Sequence, residues 1–422
     1  MARFAPAPLE IDGLVVRKER PASGAWPRTL LTQEWLVTNG LGGYAAGTIG
    51  GMATRRYHGL LTAAFPSPLG RWMMLNHLAE SIRHSSGTHM PFGGAAQVRG
   101  SVGEHSPDHL REFWLEAGLP VWRYGVDGVL VEKRVYLPHM QNTVYVTYRL
   151  LAGSAPASLE LRPAVHFRRN DAAVGDLGDQ RYTMAWVGDR YELSRGPDVP
   201  PLRLRLDGPQ NTFVLDGARF DEVLYPVEES RGYEASGDLW SPGCFRVDLT
   251  LERAVTLIAS TENWETILAL APDDARWAER RRRNDLITAA HPAARVGLAA
   301  QLVLAADQFV IRPTGRVRDD ARAQAAGDEV RSVIAGYHWF TDWGRDTMIS
   351  LEGLTLTTGR HLEAGYILRT FHDYIRDGLI PNMFPEGTRE GLYHTADATL
   401  WFFHALHRYL LATEDRGTLE QL

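Results

Sequence analysis

The sequence predicts an N-terminal β-rich part followed by an array of α-helices, and three observations carry this expectation. Short segments between residues 10 and 270 alternate apolar and polar side chains with the period of two that is typical of strands, most clearly at residues 144–150. Over residues 362–375, apolar side chains recur at the spacing of a helix with one buried face. The strand patterns end near Ala271, after which Ala, Arg and Glu dominate.

Two further strands are predicted at residues 202–206 and 245–251, and Gly, Pro and Asp residues separate many short segments. Many short strands with turn signals between them favour a large antiparallel sandwich. We therefore expect a β-sandwich domain over residues 1–270, a linker helix within 271–293 and a helical domain over 294–422.

The linker and the start of the helical domain can be resolved further. We expect an exposed helix at residues 273–286 and the first helix of the helical domain at 294–309. The polar stretch at 313–328 predicts a loop and is the segment that we expect to be most mobile. The apolar positions of the first helix are Val296, Leu298, Leu302, Ala305 and Ala306.

Later helices are expected at residues 346–358, 362–375 and 396–412, the last with Thr395 as its N-cap. Short loops between successive amphipathic helices indicate antiparallel hairpins. Loops that enter helices should therefore gather at one end of the array.

Composition and charge exclude several classes of protein. A chain of 422 residues suggests two or three domains, and its net charge of −6 argues against nucleic acid or an anionic membrane as partner. The single cysteine, Cys244, cannot form an intramolecular disulfide, which favours a reducing compartment. The first twenty residues contain no signal-peptide pattern, and no apolar run approaches the ~18 residues of a membrane span. We therefore expect a cytoplasmic protein; the sequence gives no indication of its oligomeric state.

Two motifs match known binding sites only formally. The glycine-rich run at residues 40–45 formally fits the dinucleotide fingerprint, but no Asp or Glu that could hold a ribose occurs between Trp35 and Ala79. A glycine-lined surface loop that needs close backbone approach is the better interpretation. His404 and His407 are three apart on a predicted helix without a carboxylate or cysteine nearby, which does not favour zinc. We expect neither a cofactor nor a metal.

Three loops in the helical part combine aromatic rings, arginines and carboxylates. They lie at residues 337–346, 380–387 and 395–401. The first and third lead into predicted helices, and the second follows one. Flat aromatic rings pack against the apolar faces of pyranose rings, and charged side chains make strong hydrogen bonds to hydroxyl groups. The three loops therefore predict a sugar-binding site.

The same loops resemble a known family. The segment 343–346 (Trp-Gly-Arg-Asp), the turn at 379–382 and the helix start at 396–398 are similar to the C-terminal domain of glycogen debranching enzymes, the amylo-α-1,6-glucosidases. Residues 34–44 and 54–60 resemble the N-terminal domain of the bacterial and archaeal members. The resemblance implies a β-sandwich followed by an (α/α)6 toroid of the six-hairpin glycosidase type. It also implies hydrolysis of α-1,6-linked glucose at branch points of glycogen or limit dextrins.

The resemblance also implies which residues bind sugar. Arg345 and Asp346 would hold the hydroxyls of a terminal glucose, as in glucoamylase-type toroids; an ion pair at a helix entrance is the alternative. Trp339 and Trp343 would be stacking platforms, with core packing as the alternative. Residues 55–58 are either a solvated surface run or a loop that frames the site, and the resemblance favours the loop. The other expected substrate-binding residues are Arg55, Arg56, Tyr57, His58, Asn382, Glu386 and Trp401.

Glycoside hydrolysis needs two carboxyl groups, and the toroid families that this chain resembles invert the anomeric configuration. The family's acid lies in the helix-start motif, so Asp397 is the expected general acid and Glu386 the second choice. The helix dipole would lower the pKa of Asp397, whereas burial beside Trp401 or a neighbouring carboxylate would raise it.

The general base cannot be assigned. Twelve helices with their loops need at least about 200 residues, and only 129 follow from Ala294 to Leu422. The resemblance therefore predicts an incomplete toroid whose base lies beyond Leu422, and it leaves open whether this chain alone is active. A glucan-binding protein without activity and a glucoamylase- or trehalase-like enzyme are the alternatives.

Overall fold

The computed structural model describes residues 17–19, 32–83, 89–93, 109–126, 128–153, 157–178, 180–388 and 390–422. Expectations that rest on residues 1–16 lie outside this set. In chain order the strands are β1 Arg17–Glu19, β2 Glu34–Thr38, β3 Tyr44–Thr48, β4 Gly59–Phe65, β5 Gly70–Leu75, β6 His77–Arg83, β7 His89–Phe92, β8 Leu110–Glu116, β9 Leu119–Val126, β10 Val129–Tyr136, β11 Thr143–Ala152, β12 Ala157–Ala164, β13 Arg168–Arg169, β14 Thr183–Val187, β15 Arg190–Ser194, β16 Leu202–Asp207, β17 Asn211–Val214, β18 Ala218–Leu224, β19 Ser236–Ser241, β20 Cys244–Leu249, β21 Val255–Ser260, β22 Val310–Ile311 and β23 Ser332–Val333.

The strands of the β-rich part form three large antiparallel sheets and one small one. The largest has nine strands in the order β1-β8-β9-β10-β11-β21-β16-β15-β14. Two five-stranded sheets have the orders β17-β20-β12-β6-β7 and β13-β5-β4-β3-β2, and β18 pairs with β19. Apolar side chains from all three large sheets share one continuous core. The predicted β-sandwich is consistent with this arrangement, because the alternating residues of β11, β16 and β20 supply inward side chains to that core.

Helices follow the sheets, as the change in sequence pattern predicts. In chain order they are α1 Pro226–Ser230, α2 Trp264–Leu268, α3 Pro272–Ala289, α4 Gly297–Asp307, α5 Val317–Ala325, α6 Gly344–Leu351, α7 His361–His372, α8 Asp397–Thr413 and α9 Arg416–Gln421. Helix α8 packs on α6 and α7, and together they enclose a second apolar core around Phe371 and Phe402. Among the described residues, no helix has both the length and the apolar character that a membrane span needs.

The linker helix α3 is less exposed than predicted. Glu279 and Arg283 are 3% and 2% exposed and form an ion pair of 2.8 Å one helical turn apart. Arg283 also donates to the carbonyl oxygen of Ala117 in the β-rich part. The polar sequence of α3 therefore reflects buried ion pairs against the sandwich, in addition to a solvated face.

Helix α4 buries only part of the predicted set of apolar residues, since Ala306 is 6% exposed but two of the predicted leucines face outward. Its buried residues include Ala300 and Leu304, which pack with Ile287 of α3, whereas Leu298 and Leu302 are 71% and 61% exposed. The error has a physical reason. Almost every position of this helix is apolar, so the sequence pattern does not specify which side faces the protein.

The expected loop at 313–328 contains helix α5, so this prediction is wrong. Arg312, before the helix, forms an ion pair of 2.5 Å with Asp320. At its start, the buried side chain of Arg316 forms an ion pair with Asp342. Alanine-rich sequence favours a helix even without an apolar face, and the ion pairs fix it in place.

Two helix boundaries also differ from expectation. The predicted helix at 346–358 begins at Gly344 as α6 and continues as a π-helical segment, Glu352–Leu356, in which the Thr355 hydroxyl donates to the carbonyl oxygen of Leu351. Thr395 is not the N-cap of α8. That position is Ala396, which has no side chain that could cap, and Asp397 is the first helical residue.

The junction between the two parts is organised by Arg71 of β5, which is 4% exposed. Its backbone N–H and its Nε donate to the two carboxylate oxygens of Glu386 at 2.8 and 2.9 Å. Its terminal nitrogens donate to the carbonyl oxygens of His338 and Phe340 at 3.1 and 2.8 Å. Gly70 permits this approach, since its φ is +68° and a Cβ there would lie 2.7 Å from Glu386.

The orientation of α4 can be tested by a matched pair of truncations. Leu304→Ala should lower the free energy of unfolding by about 2–4 kcal/mol, because it empties a buried position. Leu302→Ala should change it by less than about 0.5 kcal/mol, because that side chain is exposed. Urea unfolding followed by tryptophan fluorescence measures both. Equal losses, or a larger loss for Leu302→Ala, would contradict the observed face.

Arg71→Ala should lower the free energy of unfolding by about 3–5 kcal/mol, because it leaves the Glu386 carboxylate, whose side chain is only 18% exposed, without its partner. Arg169→Ala, in the adjacent strand β13, is the control. Arg169 pairs with Asp171 at 3.1 Å, but both side chains are more than 40% exposed, so its loss should be at most about 1 kcal/mol. The same urea titration compares the two variants, and a small effect of Arg71→Ala would show that the junction does not depend on this side chain.

Candidate active site

The beginnings of helices α6 and α8 meet at a contact between Arg345 and Asp397. Arg345 Nη1 donates to Asp397 Oδ2 at 2.8 Å, although 52 residues separate them in the chain. The two side chains are 39% and 44% exposed, so the pair is open to solvent. Two of the predicted sugar-binding loops therefore converge, as the antiparallel helix hairpins led us to expect.

The electrostatics of this pair bear on acid catalysis. The hydrogen bond from Arg345 is the main cause of a lowered pKa at Asp397, and the backbone N–H of Ala398 lowers it further. Burial raises the pKa, but its effect is outweighed, since the side chain is nearly half exposed. Asp397 is consequently a carboxylate at neutral pH in this unliganded arrangement.

Aromatic rings lie on the two segments that carry the pair. Trp339 and Trp401 are 39% and 37% exposed, which leaves part of each ring free to stack on a ligand. Trp343, at the start of α6, packs edge-to-face on Phe340 with 5.9 Å between ring centroids. Phe340 in turn contacts Trp339 at 6.2 Å. The rings thus form a continuous series along the 339–343 loop.

The other expected ligands of the sugar lie in different surroundings. Asp346 is exposed on the first turn of α6, and its carboxylate forms no ion pair within the described ranges. Asn382 is 1% exposed. Its backbone carbonyl oxygen accepts from the N–H of Gly344 at 2.9 Å, whereas its side-chain amide has no hydrogen-bond partner among the described residues. Glu386 is held by Arg71, so its carboxylate is already neutralised by the protein.

The 55–58 loop reaches the aromatic series from the sandwich. Arg55 donates to Glu34 at 2.6 Å and lies 5.8 Å from the Trp339 ring. Tyr57 is 5% exposed, and the centroid of its ring lies 5.7 Å from that of Trp339. Its hydroxyl accepts from Arg56 at 2.7 Å. The loop therefore does frame the 337–346 segment, but Tyr57 and His58 are buried beneath it rather than open to a ligand.

Glu34, His58 and His338 each place a potential metal ligand within 4.8 Å of the others. The tautomer of His58 argues against a metal there. Its Nδ1 accepts from the backbone N–H groups of Thr54 and Arg55 at 3.1 and 3.4 Å, so Nε2, which faces Glu34 at 3.7 Å, must carry the ring proton. A ligating histidine needs a free nitrogen toward the metal and usually donates its other N–H.

The cluster is instead a set of neutral rings beside one carboxylate. Burial, followed by the neighbouring His58, lowers the pKa of His338 to about 3. Burial alone would raise the pKa of Glu34, but contacts with His58 and Arg55 outweigh it and lower the pKa to about 2. Glu34 is therefore ionised and is compensated chiefly by Arg55.

The glycine-rich run at 40–45 joins β2 to β3 in a hairpin, which the dinucleotide fingerprint does not allow. The expected surface position is wrong, whereas the expected close backbone approach is confirmed, since a Cβ on Gly43 would lie 2.7 Å from the carbonyl oxygen of Thr62. Gly40, Gly42 and Gly43 are buried, and the carbonyl oxygen of Gly40 accepts from the N–H of Arg312 at 2.8 Å. The loop packs against the helical part, which explains why small residues are needed there.

Sequence reasoning missed two buried arginines that hold the 337–346 loop. Arg71 donates to the loop backbone, and Arg316 forms an ion pair with Asp342 of the loop. Asp342 also accepts from Ser332 at 2.8 Å, and the Arg316 guanidinium lies 3.6 Å from the centroid of the Phe384 ring. A signal for Arg71 existed, because a charged residue in an otherwise apolar strand needs a buried partner. The sequence does not reveal which residue that partner is.

Comparison with known proteins places these features in a family. A family model described as "Glycogen debranching enzyme N terminal" matches residues 33–256, and one described as "Amylo-alpha-1,6-glucosidase" matches residues 304–422. The glycogen debranching enzyme of Saccharomyces cerevisiae is 38% identical over 94 residues, which is 21% of this chain and 6% of that protein. This chain thus spans a small part of the length of that relative.

Comparison with solved structures finds likenesses at low sequence identity. A protein described as a kojibiose phosphorylase from the human microbiome has a TM-score of 0.52 at 8% identity, over 97% of this chain and 57% of its own. A bacterial glucoamylase complexed with acarbose has a TM-score of 0.41 at 9% identity, over 94% of this chain and 60% of its own. The first likeness supports the order of a β-rich part followed by helices. Because the N-terminal family model alone matches more than half of the residues, this chain belongs to the glycogen debranching enzyme family.

Proposed function

We propose that the protein is a glycoside hydrolase that removes α-1,6-linked glucose at branch points of glycogen or limit dextrins. The observation that carries the proposal is the contact of Arg345 with Asp397 at the entrance of two helices, on the same segments that carry the exposed rings of Trp339 and Trp401. A carboxylate, a guanidinium and open aromatic faces are the groups that hold a sugar ring. Membership in the family supports the choice of substrate.

In the proposed complex, Arg345 and Asp346 bind hydroxyls of the terminal glucose, and Trp339, Trp343 and Trp401 pack against its apolar faces. Asp346 is free to accept hydrogen bonds because no cation among the described residues neutralises it. We further propose that the helices from α4 onward are part of an (α/α)6 toroid. Its helix-entry loops would then form the cup in which the sugar lies.

Asp397 is the proposed general acid, and its contact with Arg345 defines what must happen before it can act. As a carboxylate it cannot protonate the leaving oxygen. When sugar hydroxyls take over the hydrogen bonds of Arg345, the main cause of the lowered pKa is removed. Enclosure by the substrate then favours uptake of a proton, which Asp397 passes to the glycosidic oxygen as the bond breaks.

Inversion requires a second carboxylate that activates a water on the opposite face of the ring. None of the residues assigned above has this role, and Glu386 is unsuited to it while Arg71 neutralises its charge. We propose that Glu386 acts through Arg71 in positioning the 337–346 loop. The inverting course follows from the family resemblance alone.

The leading alternative is a protein that binds branched glucan without cleaving it. The lowered pKa of Asp397 favours this alternative, because a permanent ion pair with Arg345 would bind hydroxyls but never donate a proton. Glucose release from a limit dextrin, followed by proton NMR of the first-formed anomer, distinguishes the two. Binding without release supports the alternative. Faster release of glucose from α-1,4- or α-1,1-linked substrates than from α-1,6-linked ones would instead indicate a glucoamylase- or trehalase-like enzyme.

Asp397→Asn should lower kcat for glucose release about 10²–10⁴-fold, because an amide cannot supply the proton. KM should change much less, since the amide still accepts hydrogen bonds from Arg345 or from the sugar. Asp373→Asn, an exposed aspartate just after α7, is the control and should behave as the wild type. An active Asp397→Asn variant would remove Asp397 from the acid role.

The ionisation of Asp397 can be followed without turnover by carboxyl carbon NMR. In the unliganded protein its pKa should lie below its ordinary value, and Arg345→Gln should raise it toward that value because the main hydrogen bond is lost. Saturating limit dextrin should raise the pKa in the wild type as well, if the sugar displaces Arg345. Arg376→Gln, an exposed arginine over Tyr393, should leave the pKa unchanged. If the pKa of Asp397 does not rise when the sugar binds, the proposed release of Asp397 from Arg345 is contradicted.

A further inference from the structure

Three arginines crowd around two aromatic rings at the edge of the proposed sugar site. Arg55 and Arg231 lie 5.8 and 5.4 Å from the Trp339 ring. Arg231 and Arg56 lie 5.2 and 5.9 Å from the Tyr233 ring. These five residues, called the arginine cluster below, come from the 55–58 loop, from the turn after α1 and from the 337–346 loop. Neither Arg231 nor Tyr233 has a role in the proposed hydrolysis.

The cluster carries more positive charge than its surroundings compensate. Within the described ranges, Arg55 is the member with an ion pair, to Glu34, whereas Arg56 and Arg231 have no carboxylate within 4.0 Å. Arg56 Nε is buried and has no hydrogen-bond partner among the described residues. Like charges held this close repel one another, so such an arrangement is expected where an anion completes it.

A further guanidinium, that of the buried Arg168, lies against the backbone of Arg56. Arg168 is 4% exposed and donates to backbone carbonyl oxygens, including that of Arg56, but it has no carboxylate partner in the described part of the chain. Of the three arginines of the cluster and Arg168, only Arg55 therefore has a carboxylate within 4.0 Å among the described residues, which leaves the other three guanidinium groups without a paired anion.

The exposure of the cluster shows that this charge is accessible. Tyr233 and Trp339 are 53% and 39% exposed, and Arg231 is exposed between them. A neutral glucan has no need of the excess charge. A phosphate monoester carries about −1.5 to −2 at neutral pH and offers oxygens that match the planar fork of arginine. The exposed ring of Trp339 lies where a sugar attached to that phosphate would stack.

We propose that the arginine cluster is a binding site for a phosphate monoester, borne on a glucan chain that continues to the Arg345 and Asp397 pair or supplied as free phosphate. The continuous ring series from Trp339 through Phe340 to Trp343 leads from the cluster to the start of α6, which carries Arg345. The glucan-borne form rests on the proposed function, because it assumes that the chain occupies the sugar site. The charge argument for the anion does not depend on cleavage.

Calorimetric titration at low ionic strength tests the proposal with three probes: maltoheptaose, maltoheptaose carrying one phosphate monoester at a 6-hydroxyl, and sodium phosphate. The phosphorylated chain should bind about tenfold tighter than the neutral one, and added salt should reduce this preference. Arg231→Ala should remove most of the preference. Because Arg231 is exposed, the variant should unfold at the wild-type temperature.

Arg281→Ala is the matched control, since Arg281 is also exposed over an exposed ring, that of Trp277 at 5.4 Å, but lies on α3 away from the cluster. It should keep the full preference. Binding of sodium phosphate as tight as that of the phosphorylated chain assigns the site to free phosphate. Equal affinity for the two heptaoses together with no binding of sodium phosphate overturns the proposal. Failure of the neutral heptaose alone to bind counts against the proposed glucan function and leaves the anion site intact.

Discussion

The buried guanidinium of Arg71 is the interaction on which the arrangement of the site depends. A charge inside a protein is tolerated only when its hydrogen-bond donors are satisfied, and Arg71 finds its acceptors in the carboxylate of Glu386 and the carbonyl oxygens of His338 and Phe340. All of these acceptors belong to the helical part, while Arg71 belongs to strand β5 of the sandwich. The position of the aromatic loop is thus set by a strand more than 260 residues away in the chain.

The two carboxylates of the site, Glu386 and Asp397, differ in how firmly their arginine partners hold them. Glu386 is 18% exposed at its side chain and is fixed by Arg71, so exchanging its partner would leave a buried cation unpaired. Asp397 is 44% exposed and pairs with an arginine that is 39% exposed, so water or sugar hydroxyls can replace that contact at low cost. Only the second pair can change partners when a ligand arrives. This difference is why Asp397, and not Glu386, is the better candidate for a proton transfer.

Sequence periodicity predicted the parts of the fold in which one face of an element is buried. The alternation at 144–150 lies within β11, and the spacing at 362–375 agrees with α7 apart from its last turn. Helix α4 was misjudged in orientation because leucines occur on both of its sides, and only the tertiary packing of Leu304 decides between them. Helix α5 was missed because ion pairs, which depend on residues distant in the chain, hold it in place.

The site was predictable in its location but not in its contacts. Helix hairpins imply that Arg345 and Asp397 lie at the same end of the array, yet their hydrogen bond and its effect on the pKa of Asp397 follow only from the geometry. Arg231 and Tyr233 follow a short helix inserted between strands, and no pattern in the sequence links them to Trp339. Pairing over such distances depends on how the chain folds back, which local periodicity does not encode.

The 337–346 loop is therefore constrained on two sides before any ligand binds. Arg71 holds its backbone at His338 and Phe340 from the buried side, and the guanidinium groups of Arg55 and Arg231 lie 5.8 and 5.4 Å from the centroid of the Trp339 ring. A loop whose ring is oriented in advance loses little conformational entropy when a sugar stacks on it. The excess charge of the arginine cluster opposes this order in the unliganded protein, because the guanidinium groups repel one another. An anion that neutralises them would remove the repulsion and fix Trp339 further, so binding at the cluster and stacking at the sugar site should reinforce each other.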